Sequence, residues 1–257
     1  MKLTLIKFKN ELFFANYIDK KNVFQLIEGD IYSDKIRLTN CFISKKDVKI
    51  LFPYKPTKII ALGYNYKDLV GEKTKYDEPI IFLKPTTALI SDGDYILIPE
   101  NYIVWSEVEL AIIIKKEAKN IKAHQAKDFI LGYAVANDVT MENILNRDHH
   151  LVRSKGLDTF CPISNYIITD VNTNNLTLIN MINNKVYQYS STKNRILNDY
   201  QIIELLSKFF TLLPGDIILT GTPANAQNAI IKNNDTIFME IKKIGTLKNK
   251  VKTIGLL

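Results

Sequence analysis

Cysteine is scarce in this sequence, since its 257 residues include only Cys41 and Cys161. Two cysteines so far apart are too few for the disulfide framework of a small secreted domain or for a zinc knuckle. Two free thiols are instead typical of a reducing compartment. We therefore expect a cytoplasmic protein.

Long apolar runs are also missing. Lys7 and Lys9 interrupt the N-terminal segment, so residues 1–9 do not read as a signal peptide. No other stretch is long enough to cross a bilayer as a helix. We expect no association with membranes.

A concentrated basic patch is a third absence. The net charge is +7 and the pI is about 9.1, but the lysines are scattered and are not interleaved with aromatic residues. A nucleic-acid partner is therefore not expected, and the charge is better explained by solubility.

The chain is rich in apolar residues, at 46% of the sequence, which is enough for a large core. It contains no internal repeat, low-complexity tract or heptad run. Strand-like runs are frequent, whereas helical patterns are too few to alternate with every strand. The pattern indicates a mainly β fold with few helices rather than a doubly wound sheet.

The N-terminal part carries three short, roughly alternating runs at residues 3–8, 12–17 and 23–27, as a small antiparallel sheet would. Pro53 and Pro56 then break regular structure within a few residues. We predict a small N-terminal β domain over residues 1–54 and a main domain over residues 55–257.

In the main domain, the predicted strands are residues 58–62, 79–83, 95–98, 104–114, 130–139 and 217–220. Helices are predicted over residues 123–129 and 203–210. The polar segment 141–155, with His149 and His150, is predicted to lie as a helix or loop over the mouth of the sheet.

Two acids lie near the start of the apolar run 104–114. Glu107 and Glu109 are two residues apart, so on a strand their side chains share a face. The paired carboxylates repel each other unless a cation lies between them. A solvated acidic strand end is the alternative, and for this pair alone it is favoured, because exposed glutamate is the default.

Asp138 changes this balance because it lies near the end of a second apolar run, residues 130–139. Two strands that each place acid at the edge of the core can form a cradle of three carboxylates. Such an all-oxygen site suits Mg²⁺, Mn²⁺ or Ca²⁺ better than zinc, and it leaves positions open for water or substrate. The sequence therefore predicts a divalent-metal site.

From residue 57 onward, six motifs resemble those of the fumarylacetoacetate hydrolase family. They are residues 63–68, 81–85, 107–110, 132–139, 155–162 and 213–223. The resemblance implies an α+β fold, a mixed β-roll of curled sheets with few helices. It also implies a small domain before the roll and a homodimer.

The same resemblance assigns the metal ligands to Glu107, Glu109 and Asp138. It implies a small carboxylate substrate, a 2-oxo acid or 1,3-diketo acid, that chelates the metal through its carboxylate and keto oxygens. The cation would then polarise the carbonyl and stabilise an enolate. The family lysine falls on Lys155, which can supply a positive charge or a proton.

Substrate-binding residues are implied by the resemblance at Tyr64, Asn65, Gln188, Gly221 and Thr222. Gly221, Thr222 and Gln188 also have a simpler explanation in the residues themselves. Glycine followed by Thr-Pro suits an ordinary turn, and a glutamine in a hairpin needs no ligand.

The chain departs from the family at the base that activates water. Leu69 and Glu72 stand where the hydrolases carry a histidine and a glutamate. Leucine cannot take a proton, so Glu72 would act alone as the base. In addition, Glu142 and Leu145 replace an arginine and a glutamine, which weakens recognition of anions.

The metal cradle and Lys155 suffice for chemistry that needs only an enolate. We therefore predict a divalent-metal-dependent enzyme that works through a metal-bound enolate, by decarboxylation or by isomerisation or tautomerisation. The alternatives are hydrolysis of a C–C bond in an acylpyruvate and a metal-binding pseudoenzyme.

Overall fold

A computed structural model of the chain describes residues 1–33, 35–71 and 78–255. In these residues, sheets of thirteen, five and two strands dominate, and the helices are few. The prediction of a mainly β fold is confirmed. Among the described helices, none has the length and apolar character needed to cross a membrane.

The strands are β1 (Lys2–Phe8), β2 (Glu11–Ile18), β3 (Val23–Glu28), β4 (Arg37–Ser44), β5 (Lys49–Leu51), β6 (Ile59–Gly63), β7 (Ile80–Lys84), β8 (Leu89–Ser91), β9 (Tyr95–Pro99), β10 (Val104–Trp105), β11 (Val108–Ile114), β12 (Ile130–Asn137), β13 (Thr140–Met141), β14 (Cys161–Ile163), β15 (Ile167–Ile168), β16 (Thr177–Ile182), β17 (Lys185–Ser191), β18 (Ile217–Leu219), β19 (Thr236–Ile241) and β20 (Gly245–Ile254). The α-helices are α1 (Lys67–Val70), α2 (Val152–Lys155) and α3 (Asp199–Phe209). Short 3₁₀ helices lie at Asp19–Lys21, Lys45–Asp47, Thr86–Ala88, Ala123–Phe129, Ile144–Asn146, Thr192–Asn194 and Ala226–Asn228.

The large sheet has the order β4-β3-β2-β1-β15-β12-β11-β18-β6-β7 along its main path. Strand β11 lies inside it, antiparallel to both β12 and β18. All seven residues of β11 are buried. A strand covered on both faces explains why this stretch is apolar without alternation.

Two core clusters use the alternate faces of β11. Leu110 and Ile112 belong to the larger cluster, which includes residues of the five-stranded sheet β17-β16-β19-β20-β9 and of α3. Ala111 and Ile113 belong to the second cluster on the other face. The period of two along a strand therefore divides one segment between two cores.

The predicted helix 203–210 is confirmed as α3, although it begins earlier, at Asp199. The Asn198 side chain accepts hydrogen bonds from the N–H groups of Tyr200 and Gln201. The Gln201 side chain accepts the N–H of Asn198 in return, which completes a capping box. The cap explains the earlier start.

The three predicted N-terminal strands are confirmed as β1, β2 and β3. β1 also pairs with β15, with Leu3 opposite Ile167, so the N-terminal strands continue the large sheet. The division into domains at residue 54 stays a prediction.

The prediction of one strand over 104–114 is wrong, because the run is divided into β10 and β11. Between them, the Ser106 N–H donates to the Ala229 carbonyl and the Glu107 N–H donates to the Asn137 side chain, both at 3.0 Å. Glu107 therefore enters the site from the irregular segment between β10 and β11, whereas Glu109 lies on a strand. The predicted helix 123–129 is a 3₁₀ helix.

The two thiols should differ sharply in reactivity. Cys41 is exposed and Cys161 is buried, and burial raises the pKa of the Cys161 thiol to about 12. Because the thiolate is the reactive form, a disulfide reagent should titrate one thiol per native chain rapidly and the second only after denaturation. The Cys41→Ser variant should lose the rapid phase. Two rapid thiols in the native protein would contradict this packing.

Candidate metal centre and active site

Three carboxylates meet where β11 begins and β12 ends. Val108 pairs with Asn137 in the antiparallel register, and the Asp138 N–H donates to the Glu107 carbonyl at 3.0 Å. This register places Glu107, Glu109 and Asp138 side by side, and all three are buried. One oxygen from each lies within 4.8 Å of the others.

Two buried lysines approach this cluster. The Lys155 ammonium lies 2.6 Å from Asp138 Oδ2 and 3.0 Å from Glu107 Oε2. The Lys84 ammonium contacts the other Asp138 oxygen, Oδ1. It also donates to the Val139 carbonyl, at 3.2 Å. Asp138 is therefore held between two cations.

The pKa values follow from these contacts. Burial raises the pKa of the Asp138 carboxyl, but the ammonium groups of Lys155 and Lys84 lower it more, so it lies below its ordinary value. Burial lowers the pKa of Lys155, but Asp138 and Glu107 raise it more, so it lies above its ordinary value. The ion pair between Lys155 and Asp138 therefore stabilises the charged forms of both groups.

Glu109 lacks such a partner. Among the described residues, no lysine or arginine forms an ion pair with it, and the Gly221 N–H donates to its Oε2 at 2.6 Å. Burial, followed by the charges of Asp138 and Glu107, raises the pKa of Glu109 well above its ordinary value. With all three carboxylates ionised, the cluster would carry one negative charge more than its two lysines balance.

This donor set fits a divalent cation. Three carboxylates offer hard oxygen ligands, and a doubly charged ion would remove the repulsion that acts on Glu109. A buried acidic cluster with excess negative charge is the chemistry expected of a Mg²⁺, Mn²⁺ or Ca²⁺ site.

The small sheet of β10 and β13 orients Glu107. Trp105 and Thr140 are cross-strand partners in this sheet. The Trp105 indole N–H donates to Glu107 Oε1 at 2.7 Å, and the Thr140 hydroxyl donates to the same oxygen at 2.8 Å. The other oxygen of Glu107 is left to Lys155. Sequence reasoning missed both supporting residues, because only the pairing of β10 with β13 brings them to Glu107.

Helix α2 positions Lys155. The Asp148 carboxylate accepts the Ser154 N–H at 2.6 Å, and the Lys155 N–H donates to the Leu151 carbonyl at 2.9 Å. Gly156 follows, where a Cβ would lie 2.6 Å from the Val152 carbonyl oxygen. A side chain at position 156 would therefore push against the helix that carries Lys155.

Gly221 and Asn65 form a support beneath Glu109. Gly221 has φ +96°, and a Cβ there would lie 3.0 Å from Asn65 Cβ. The Asn65 side chain accepts the Leu197 N–H at 2.8 Å and donates to the Thr220 carbonyl at 2.9 Å. Asn65 is buried and its side chain does not line the cavity.

Gln188 supports the site through hydrogen bonds to Val108 and Thr222. Its Oε1 accepts the Val108 N–H at 3.1 Å, and its Nε2 donates to Thr222 Oγ1 at 3.0 Å. It ties β17 to the start of β11 and lies outside the cavity lining. The substrate contacts predicted for Gln188 and Asn65 stay predictions.

A cavity of about 460 Å³ opens over the three carboxylates and Lys155. The predicted residues Tyr64 and Thr222 line it. Leu69 also lines it, with 37% of its surface exposed, so the cavity wall is apolar at this position. Further lining residues are Ile80, Phe82, Trp105, Thr140, Met141, Asn143, Leu151, Ser154, Asn225, Ala226, Gln227 and Asn228.

Several residues from the sequence analysis lie away from the cavity. Glu142 accepts the Ile103 N–H at 2.8 Å outside the lining, and Leu145 is exposed. His149 and His150 are exposed and do not line it. Glu72 lies outside the described residues.

Lys84 is the main residue that sequence reasoning missed. It lies in the motif 81–85, at the end of an apolar strand and before a proline. A lysine there is normally solvated, and full burial of lysine requires a charged partner. The signal is weak because the partner, Asp138, is distant in sequence.

Comparisons with known proteins agree on one family. The family model described as the fumarylacetoacetate (FAA) hydrolase C-terminal domain matches residues 58–252. A 5-carboxymethyl-2-hydroxymuconate delta-isomerase from Mycobacterium smegmatis has a similar structure, with a TM-score of 0.90 and 34% identity over 99% of this chain and 100% of that chain. A 2-hydroxyhepta-2,4-diene-1,7-dioate isomerase from Mycobacterium marinum superposes with a TM-score of 0.88 and 36% identity over 98% of each chain.

A mitochondrial oxaloacetate tautomerase of Bos taurus is 35% identical over 228 residues. The match covers 81% of this chain and 71% of that protein. The names of these three similar proteins all describe isomerisation or tautomerisation.

Removal of one carboxylate charge tests the metal centre. In Glu109→Gln, the affinity for Mn²⁺ measured by calorimetry should fall by about 100-fold or more. Mutation of a residue that only supports a metal ligand commonly lowers metal affinity by about 10–100-fold, and loss of a ligand itself should cost at least as much. Glu142→Gln is the matched control and should bind Mn²⁺ like the parent. Equal Mn²⁺ affinities for the parent and both variants would contradict a metal site that includes Glu109.

Gly156→Ala tests how Lys155 is positioned. The added methyl group would overlap the Val152 carbonyl, so we expect a loss of about 1–3 kcal/mol in the free energy of unfolding, measured with urea. Gly255→Ala is the control, because a Cβ there meets nothing within 4 Å. Equal stability of both variants would contradict the close approach at position 156.

Proposed function

The chain belongs to the fumarylacetoacetate hydrolase family, and from this premise we propose a divalent-metal-dependent enzyme that isomerises or tautomerises a small 2-oxo acid or 1,3-diketo acid. The observation that carries the proposal is the buried carboxylate cluster, paired with Lys155 at the floor of an otherwise largely apolar cavity. The names of the similar isomerases and tautomerase support the reaction type.

Glu107, Glu109 and Asp138 would hold the metal, with Mg²⁺, Mn²⁺ and Ca²⁺ as the candidates. When bound, the ion supplies Lewis-acid polarisation of a substrate carbonyl. The protein's own part is to keep the three oxygens together, through the Gly221 N–H on Glu109 and the Trp105 and Thr140 donors on Glu107.

Lys155 is proposed as a catalytic residue. Its ammonium is fixed by two carboxylates and faces the cavity, so its positive charge is in place before any substrate enters. Such a preorganised charge stabilises the negative oxygen that develops when a proton leaves the carbon beside a carbonyl. Glu72, predicted from the sequence to act alone as the base, is proposed to take this proton.

Thr222 and Tyr64 are proposed to contact the substrate, since both line the cavity. The Thr222 hydroxyl donates to the Val108 carbonyl at 3.1 Å and accepts from Gln188, so its position is set. Gln188 and Asn65 would act on substrate through Thr222 and Gly221, which they hold.

Leu69 is the reason to prefer isomerisation over hydrolysis. A leucine in the cavity wall cannot activate water, whereas proton transfer between carbon atoms needs no water. Decarboxylation is the second candidate, because it passes through the same kind of enolate charge. Hydrolysis of an acylpyruvate and simple metabolite binding are the remaining alternatives.

We keep a homodimer and a cytoplasmic location as proposals from kinship and from the two free thiols. The proposed partner is a small carboxylate substrate, with no nucleic-acid or membrane role.

The test follows the enol form of a 2-oxo acid by ultraviolet absorbance. Loss of the enol should accelerate with Mg²⁺ or Mn²⁺ and return to the uncatalysed rate with a chelator. Lys155→Met should lower kcat by about 10²–10⁴-fold, the usual contribution of a positioned acid or base. Lys127→Met, at an exposed lysine away from the cavity, should leave kcat unchanged.

Release of pyruvate from an acylpyruvate without enol turnover would replace isomerisation by hydrolysis. Release of CO₂ from oxaloacetate without enol turnover would favour decarboxylation. Metal binding without formation of any product would indicate a protein that binds a metabolite but does not convert it.

A further inference from the structure

The two oxygens of Asp138 have different surroundings. Oδ1 contacts the Lys84 ammonium, which also donates to the Val139 carbonyl at 3.2 Å. The Lys84 side chain is fully buried and does not line the cavity. Oδ2 instead accepts a hydrogen bond from Lys155, a residue of the cavity lining, at 2.6 Å. Oδ2 is therefore the oxygen of Asp138 on the cavity side.

The oxygens of Glu107 are divided in the same way. Oε1 accepts two hydrogen bonds, one from the Trp105 indole at 2.7 Å and one from the Thr140 hydroxyl at 2.8 Å. Two donors occupy both lone pairs of a carboxylate oxygen. Oε2 accepts from Lys155 at 3.0 Å and keeps its second lone pair. Oε2 is therefore the oxygen of Glu107 that can bind an ion.

Glu109 completes the set. The Gly221 N–H donates to its Oε2 at 2.6 Å, which leaves Oε1 for an ion. One oxygen from each of the three acids lies within 4.8 Å of the others. The fold thus offers an ion one oxygen from each acid rather than both.

The number of oxygens that each acid offers affects the choice of cation. Mg²⁺ demands near-ideal octahedral geometry and usually keeps several waters, whereas Ca²⁺ takes about six to eight oxygens and often binds both oxygens of one carboxylate. Three single oxygens leave positions around Mg²⁺ for water and substrate, but they give Ca²⁺ fewer protein ligands than it can use. A donor that withholds the second oxygen of a carboxylate therefore favours Mg²⁺ over Ca²⁺.

We propose that Lys84 and Trp105 are positioning residues that make Asp138 and Glu107 bind the metal through one oxygen each, and that they thereby favour Mg²⁺ over Ca²⁺. The inference rests on the proposed function, because it concerns the same metal centre. Lys84 has the larger effect, since its positive charge repels an ion from Oδ1 of Asp138 in addition to occupying that oxygen. Trp105 contributes a neutral donor.

The test measures the Kd for Mg²⁺ and the Kd for Ca²⁺ by calorimetry in Lys84→Met. Loss of the ammonium removes the same repulsion from both divalent ions, so this effect cancels in the ratio of the two Kd values. With Oδ1 of Asp138 free, the preference for Mg²⁺ should fall by about tenfold or more, the usual scale for a residue that supports a metal ligand. Residues 72–77 are identical in the parent and the variants, so any part that they play also cancels.

Lys58→Met is the matched control. Lys58 pairs with the buried Asp216, whose carbonyl accepts the Ile114 N–H at the end of β11 opposite to Glu109. This variant removes the same charge from another buried aspartate and should leave the ratio of the Kd values unchanged. An equal shift in both lysine variants would indicate general loosening and would overturn the inference. A parent-like ratio in Lys84→Met would also overturn it.

Trp105→Phe gives a second test that changes no charge. The variant keeps an aromatic ring but loses the indole N–H, so one lone pair of Glu107 Oε1 becomes free. The preference for Mg²⁺ should fall again, by less than in Lys84→Met, because Thr140 still donates to the same oxygen. A ratio equal to that of the parent would contradict the role assigned to Trp105.

The outcomes separate this inference from the proposed function. If the parent protein binds neither ion, both fail. If it binds the ions but converts no 2-oxo acid, the proposed function fails and the Kd ratios still decide the inference. A crystal of the parent soaked with Mn²⁺ should show Lys84 still on Asp138 Oδ1. An ion bonded to both oxygens of Asp138 or of Glu107 would overturn the inference, even if Lys84→Met does not fold.

Discussion

Mutual repulsion of three buried carboxylates is the constraint on which this site depends. At about 4 Å and an effective dielectric constant near 20, two like charges repel by about 4 kcal/mol. The fold reduces this cost by placing Lys84 and Lys155 on opposite oxygens of Asp138, and Lys155 also on Glu107. Within residues 1–33, 35–71 and 78–255, Glu109 has no lysine or arginine partner and accepts the Gly221 N–H. With all three carboxylates ionised, the site is one positive charge short, which a divalent ion would more than supply.

The charged groups of the site come from elements that begin or end there. β11 begins there, β12 ends there, and β7 ends at Lys84. Strand ends can present charged groups to a cavity because the apolar residues behind them are already covered on both faces. Glu107 lies in the break between β10 and β11, and its carboxylate has one oxygen held by the neutral donors Trp105 and Thr140 and one by Lys155.

Part of this could be predicted from sequence. Apolar runs with acids near their ends located Glu107, Glu109 and Asp138, which the structure brings together. The break between β10 and β11 could not be predicted from a continuous apolar run, because the Ser106 N–H donates to the carbonyl of Ala229, far along the chain. Lys84 was missed for the same reason. Its partner, Asp138, is distant in sequence, and a local sequence pattern predicts contacts only between residues that are close along the chain. The pairing of β1 with β15 is likewise a long-range contact without a local signal.

The central claim is that these three carboxylates hold one divalent ion. The most direct measurement is a crystal structure of the protein soaked with Mn²⁺, with the ion located by its anomalous scattering. The account predicts one strong peak within bonding distance, about 2.0–2.6 Å, of an oxygen from each of Glu107, Glu109 and Asp138. A cavity without a peak, or a peak bound to other residues while these three keep only their lysine and backbone contacts, would contradict it.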